Sequence, residues 1–342
     1  MAGTSPHSSA FLREIGRADL ILDLSGDMWG DNANEIHDER FEVGLLRVLT
    51  AQVLGKKTAL VASSPGPFDG NIPVELVSRV LEGYDLILNR EARSSQVLAR
   101  SGVAFDNMFS RSCPSIRYIN NVRESAEKHP HDSGHPSVGL TLCGWNIPNS
   151  SWQSRRLSPE QLNGIADFIR RVAQTTDSRV VLFSPANGFL IEGSEKIDIT
   201  GRDYDILAQV HEHLKSLDPG LPVDLEQRVR GPRETIELIR SFDLLISGRA
   251  HGCVAGLTLG VPTVMIDYAN GPEAHKTVGF MELFDQGKHV ISLRDLDKAD
   301  LIISETWSQR TQISTLLSSR LDANLQLVDR MGEEIRDFAH AN

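Results

Sequence analysis

The segment Ser241–Tyr268, SFDLLISGRAHGCVAGLTLGVPTVMIDY, decides the fold. It reads as strand, tight turn, helix, tight turn, strand. A buried strand over Phe242–Ile246 ends at Ser247-Gly248, and Arg249 and His251 project where the next helix opens. The first amides of a helix have no intrahelical acceptor and lie at the positive end of its dipole, so this corner suits an anion. Arg249 adds a forked cation matched to phosphate or carboxylate. Gly252 is expected to let a ligand approach the backbone. Ala255, Gly256 and Gly260 keep the helix slim enough to press on a sheet. Cys253 reads as a small buried residue rather than a reactive thiol.

The same alternation extends outward in both directions. Apolar runs predict strands at Leu20–Leu24, Thr58–Ala62, Asp85–Leu88, Ser137–Leu142, Arg179–Phe183, Asp243–Ile246 and Thr263–Ile266. Between them, amphipathic spacing predicts helices at Glu35–Leu54, Val74–Glu82, Ser94–Arg100, Ser158–Gln174, Asp203–Ser216 and Arg233–Arg240, and a mostly helical tail from Glu305 to Ala341 that crosses back to the first domain. Ser158-Pro159-Glu160 is a helix start, with serine as cap and proline at the first helical position. Strands alternating with helices imply an α/β protein with parallel sheets covered on both faces. The polar stretch Glu124–Pro136, ending KHPHDSGHP, is the best boundary. The expected domains are 1–133, 134–304 and the tail 305–342, with a cleft between the first two.

Composition narrows the function. The 342 residues are 40% hydrophobic and 24% charged, with a net charge of −11. That balance describes a globular protein that repels nucleic acid and anionic membrane, so an anionic substrate needs a local cationic pocket. Cys113, Cys143 and Cys253 are too few and too scattered for a disulfide framework or a zinc site, and His129, His131 and His135 fall in the proline-broken linker, so no metal is expected. The polar start MAGTSPHSSA carries no signal-peptide core, and no apolar run approaches a membrane span. A cytoplasmic protein is the expectation. In open α/β sheets ligands bind beyond the carboxyl ends of the strands. In the first domain that edge carries Ser25–Asp31, with Asp27, Trp29 and Asp31, and then Ser63–Gly70. Carboxylates and an aromatic facing cations suit an anionic donor meeting a hydroxyl-rich acceptor.

The turns, in order, are SGDMWGD (25–31), SPGPFDG (64–70), NREARSS (89–95) and SGRAHG (247–252), followed by GVPTVMIDY (260–268), Lys276 and Gly279-Phe280. From about Ala18 to Phe284 this series resembles the polysaccharide pyruvyl transferase family. The family's Gly-Asn-x-Gly-Asp loop and first strand have no counterpart before Ala18, two glycines of its early run are replaced around Ser25-Gly26-Asp27, and its motif leucine is Ala250. The resemblance implies two Rossmann-like domains of the glycosyltransferase-B type. It also implies transfer of the enolpyruvyl unit of phosphoenolpyruvate to hydroxyls of a polysaccharide or glycan precursor, commonly as a ketal, with phosphoenolpyruvate as co-substrate and no bound cofactor. Carried over, Arg249 and His251 contact the donor; by their places in the turns, Gly252, Lys276 and Tyr268 are further donor-side candidates, and Trp29 and Arg90 acceptor-side candidates. His251 is the candidate acid, and Asp27 or Asp31 the candidate base. Arg249→Ala is expected to abolish transfer in a protein that stays folded. A lipid-linked acceptor would bring the enzyme loosely to the inner membrane face, and a homo-oligomer is compatible with the sequence. Two other readings stay open: a glycosyltransferase-B enzyme using a nucleotide-sugar, and a non-catalytic remnant of the family.

Overall fold

The computed structural model describes residues 6–26, 29–30, 33, 39–66, 68, 74–100, 102–103, 105–125, 135–151, 154–186, 188–192, 196–200, 202–268 and 275–341. The chain divides into two compact units, residues 1–114 with 326–342, and residues 115–325.

In the first unit the order is α1 (Pro6–Arg17), β1 (Leu20–Asp23), α2 (Arg40–Val53), β2 (Lys57–Ser63), α3 (Val74–Glu82), β3 (Leu86–Asn89), α4 (Ala92–Arg100) and β4 (Met108–Ser110). The four strands pair in parallel in the order β1-β2-β3-β4. Residues of β2 alternate between two cores, as the strand period of two requires. Leu60 joins Phe41, Leu45 and Val48 of α2 and Val77, Val80 and Leu81 of α3. Ala59 and Val61 join Leu86, Leu88 and Met331, with Ile335 and Phe338 packed beside them. The second cover therefore comes from the C-terminal end of the chain, as the sequence reading of the tail expected.

The second unit runs α5 (Ser115–Ser125), β5 (Ser137–Thr141), α6 (Pro159–Thr176), β6 (Arg179–Leu182), β7 (Gly188–Glu192), β8 (Lys196–Thr200), α7 (Arg202–Leu217), β9 (Val223–Leu225), α8 (Pro232–Arg240), β10 (Leu244–Ser247), α9 (Ala250–Leu259), β11 (Thr263–Ile266), α10 (His275–Glu282), β12 (Val290–Ile291), α11 (Leu296–Ser308) and α12 (Arg310–His340), the last passing into the first unit. Its six-stranded parallel sheet has the order β12-β11-β10-β5-β6-β9. One face carries Val138, Leu140, Leu244, Ile246, Val264 and Ile266 against α6, α7 and α11. On the other, α9 lies so close that a Cβ on Gly256 would stand 2.3 Å from Thr263 Oγ1 and 2.7 Å from Leu245 Cδ2. The small residues of α9 serve close helix–sheet packing, as read from the sequence. Gly260 ends α9 at φ 76°, the left-handed conformation glycine adopts without steric cost. Ser158 caps α6, its Oγ accepting from Gln161 N at 3.2 Å while Gln161 Oε1 accepts from Ser158 N at 2.9 Å.

The division differs from the sequence boundary at 133/134. Ser115–Ser125 goes with the second unit, where α5 packs on α9, and residues 326–342 go with the first. The polar linker marks a gap between α5 and β5 rather than between the units. The hairpin β7–β8, antiparallel with Leu190 opposite Asp198, also has no counterpart in the sequence reading.

One buried group ties stability of this unit to pH. His289 is 2% exposed, and neither ring nitrogen has a hydrogen-bond partner among the described residues. Burial, reinforced by neighbouring Lys288, pushes its pKa down to about 4. The unfolded imidazole titrates near 6.5. The neutral ring therefore contributes fully above pH ~6.5, and stability is lost as pH falls from there toward the folded value. The full difference is worth about 3 kcal/mol. Comparing urea midpoints of the wild type and His289→Leu from pH 7 to 4 should show the wild type losing stability relative to the variant. Parallel curves would show that His289 does not carry the effect.

Candidate functional site

At the carboxyl end of β10, the backbone turns through Ser247-Gly248 and enters α9 at Arg249, whose extended conformation (φ −118°, ψ 125°) makes it the residue before the first helical turn. Ser247 Oγ accepts from Arg249 N at 3.2 Å and donates to Arg249 O at 2.9 Å, which fixes the turn. Gly248 and Gly252 are both required sterically, although for a different reason than ligand approach. A Cβ on Gly252 would lie 2.4 Å from Ser247 Oγ, and one on Gly248 only 1.9 Å from Asn146 Oδ1. The expectation that Gly252 opens the backbone to a ligand gives way to close packing within the turn itself.

Arg249 does not stand alone. Its Nε donates to Asp203 Oδ2 at 2.7 Å and its Nη2 to Asp203 Oδ1 at 2.5 Å. Asp203 lies at the start of α7 and is 1% exposed, while a fifth of the arginine side chain meets solvent. Burial works against the charged guanidinium, but the Asp203 pair outweighs it and its pKa is raised; Cys143 and Tyr268 are also within electrostatic range. A bidentate pair of this kind fixes the plane of the fork.

The other donor-side candidates gather around it. Lys276, on α10, is 2% exposed, and its Nζ lies over the rings of Tyr268 at 5.3 Å and Trp145 at 5.8 Å. Those two rings are 4.8 Å apart. His251 is exposed at the first turn of α9, with its ring 6.4 Å from Phe280, one turn beyond Lys276 on α10. Arg249, His251, Gly252, Lys276 and Tyr268 thus share the carboxyl edge of the second sheet. Beneath them, Asn146 Oδ1 accepts from Cys143 N at 2.8 Å and Asn146 Nδ2 donates to the Ile266 and Asp267 carbonyls at 3.0 and 3.4 Å, tying the β5 turn to the end of β11. Burial raises the thiols of Cys143 to about 11 and Cys253 to about 12, so neither supplies a thiolate near neutral pH.

The first unit's candidates fare differently. Asp27 and Asp31 lie outside the described residues. Trp29, read as a sugar platform, is a core residue at 3% exposure. Its Nε1 donates to Asp23 Oδ2 at 2.7 Å, and its ring meets Phe41 and Tyr84 edge-on. Tyr84 donates to the same oxygen at 2.6 Å, and its pKa is raised by burial and by Asp23. Arg90, read as an acceptor contact, is 5% exposed, and its Nε donates to Ser64 Oγ at 2.8 Å. It binds the two strand-end turns together instead of reaching outward. Neighbouring Glu91 is fully buried at the start of α4, where Oε2 accepts from Ser94 N at 2.9 Å; burial raises its pKa.

Asp203, Trp145 and Asn146 were not found by sequence reasoning. Asp203 is 46 positions from Arg249, and no local pattern links them.

A family model described as polysaccharide pyruvyl transferase matches residues 4–270, starting upstream of the resemblance read from the motifs. No curated protein matches the sequence. Among solved structures, Anabaena Alr3699/HepE in complex with UDP and glucose is 12% identical at a TM-score of 0.57, covering 100% of this chain and 84% of that one. The UDP-GlcNAc 2-epimerase from Neisseria meningitidis is 11% identical at 0.57, with 98% and 83% covered. A UDP-forming trehalose-phosphate synthase from Burkholderia xenovorans is 10% identical at 0.54, with 99% and 81% covered. At these identities the likeness concerns the fold: two α/β units with parallel sheets, as in the glycosyltransferase-B and Rossmann-like architectures.

Proposed function

Because the chain belongs to the polysaccharide pyruvyl transferase family and its catalytic role is of the pyruvyltransferase type, we propose that its donor is phosphoenolpyruvate, held at the Arg249 corner, and that its acceptor is a hydroxyl-rich glycan or glycan precursor. The supporting observation is the oriented guanidinium. Asp203 holds Arg249 at the mouth of a helix N-terminus, and a second cation, Lys276, is fixed over Trp145 and Tyr268.

Protonation of the phosphoenolpyruvate methylene makes a methyl group and leaves an oxocarbenium-like carbon. A sugar hydroxyl oxygen bonds to that carbon and gives up its proton. The carbon–oxygen bond to phosphate then breaks, inorganic phosphate leaves, and a second hydroxyl closes the ketal with loss of its own proton. Arg249, Lys276 and the first amides of α9 offset the two anionic ends of the donor. His251, exposed at the same helix start, is the proposed proton donor. Asp27 or Asp31 remains the proposed base.

The nucleotide-sugar reading needs an acid near α9 to hold a ribose. Residues 252–259 contain none, and Asp267, the nearby candidate, is 6% exposed and accepts from Thr277 Oγ1 at 2.9 Å. Thermal-shift titration separates the readings. Phosphoenolpyruvate at about 100 times its Kd should add about 2.7 kcal/mol of stability, a rise of several degrees in Tm. Stabilisation by uridine or guanosine diphosphate instead would favour a nucleotide-sugar enzyme, and a response to none of these would favour a non-catalytic relative.

A further inference from the structure

Tyr268 stands two residues beyond the end of β11 and is half-buried. Its ring packs on that of Trp145 with 4.8 Å between centroids, and Lys276 Nζ lies 5.3 Å from its centre. The guanidinium of Arg249 is within electrostatic range of the same phenol. Three elements hold it there. Asn146, next to Trp145, donates to the carbonyls of Ile266 and Asp267, the two residues that lead to Tyr268. Thr277, next to Lys276, donates to Asp267 Oδ1 at 2.9 Å. The turn after β5, the end of β11 and the start of α10 thus bring one phenol within range of both cations assigned to the donor's charge. His251 belongs to a different element, the opening of α9, with its ring 6.4 Å from that of Phe280. This corner therefore carries two separate proton carriers.

Ketal formation has work for both. The methylene takes one proton, and phosphate leaves more readily when its bridging oxygen receives another. We propose that Tyr268 gives this second proton and then takes the proton of the second sugar hydroxyl, an assignment that rests on the phosphoenolpyruvate reading above. After the first hydroxyl has added, one tetrahedral carbon carries both the sugar oxygen and the phosphate. The Tyr268 O–H bond breaks and its proton bonds to the bridging oxygen. The carbon–oxygen bond to phosphate breaks, and its electron pair goes to the phosphate. The second hydroxyl oxygen bonds to the oxocarbenium carbon left behind, and its proton passes to the phenolate. Tyr268 ends as it began, and nothing is oxidised or reduced. Between the two transfers, Lys276 and Arg249 offset the charge of the phenolate.

Tyr268→Phe keeps the ring against Trp145 and Lys276 and removes only the hydroxyl, so the variant should melt with the wild type. Phosphate release from phosphoenolpyruvate, with a panel of methyl hexopyranosides as acceptors, should fall in kcat by about a hundredfold or more. Calorimetry should find the Kd for phosphoenolpyruvate changed by less than about threefold, because the cations that hold the donor are untouched. With phosphoenolpyruvate labelled at its central carbon, rapid quenching into base should trap the tetrahedral adduct on the variant, since its breakdown is the step slowed. A lost packing contact would not produce that accumulation. A Tyr268→Phe protein that releases phosphate at the wild-type rate overturns the proposal. So does a slow variant that accumulates no adduct, or one that loses affinity in proportion to rate, which would make Tyr268 a binding contact alone. A wild type that neither binds nor turns over phosphoenolpyruvate overturns the donor reading and this step with it, a result distinct from a working wild type matched by its Tyr268→Phe variant.

Discussion

Replacing Arg249 with alanine should lower kcat/KM for pyruvyl transfer by about a hundred- to a thousandfold, because it removes a fixed cation from the proposed donor site. The structure adds a second consequence to the one expected from sequence. Asp203 is 1% exposed and gives two oxygens to the guanidinium. Removing the guanidinium breaks this buried ion pair, which typically costs about 3–5 kcal/mol. The alanine variant should therefore melt well below the wild type, and lost activity alone would not separate chemistry from unfolding. Arg249→Ala combined with Asp203→Asn removes both charges and should recover most of the stability while remaining inactive. Asp203→Asn by itself keeps the cation but loosens its orientation, so it should raise KM for phosphoenolpyruvate more than it lowers kcat. A folded double variant that transfers pyruvate at the wild-type rate would remove Arg249 from the site.

Gly248→Ala should be almost as damaging, through packing alone. The added methyl would sit 1.9 Å from Asn146 Oδ1 and 2.6 Å from its Cγ. A flexible surface side chain could swing aside, but Asn146 is fully buried and engaged by Cys143 N and by the carbonyls of Ile266 and Asp267. Moving it breaks these buried hydrogen bonds, at about 1 kcal/mol each, on top of about 1–3 kcal/mol for overpacking. We expect a destabilisation of at least about 3 kcal/mol by urea titration, together with loss of donor binding as the Arg249 turn shifts. A Gly248→Ala protein with a wild-type midpoint would mean that the turn has slack that the close approach does not suggest.

Much of the architecture could be read from residue order because it rests on local chemistry. The short apolar runs gave β2, β5 and β11 within a residue or so, and Ser158-Pro159 marked the start of α6 where capping geometry places it. The Arg249 corner was legible for the same reason: a glycine turn, an arginine and a histidine fall within six residues. What escaped was long-range. Nothing around Asp203 marks it as the partner of Arg249, because a helix-opening aspartate is ordinarily a cap. Trp29 was misread because an indole after a glycine turn looks available to a sugar. Only the fold reveals that Asp23 and Tyr84 enclose it. Arg90 failed likewise, its target being the Ser64 hydroxyl of a neighbouring strand-end turn. Short strands such as β4 and β9 carry too few residues to establish a period.

The arrangement of α12 has a consequence for how the molecule is made. The sheet built from β1 to β4 receives Met331, Ile335 and Phe338 as its second cover, and these residues are synthesised long after it. A nascent chain leaving the ribosome thus carries one bare apolar sheet face until residues 331–338 emerge, and the first unit cannot mature ahead of the second. Substitutions at these α12 positions would therefore be felt in strands made far earlier in the chain.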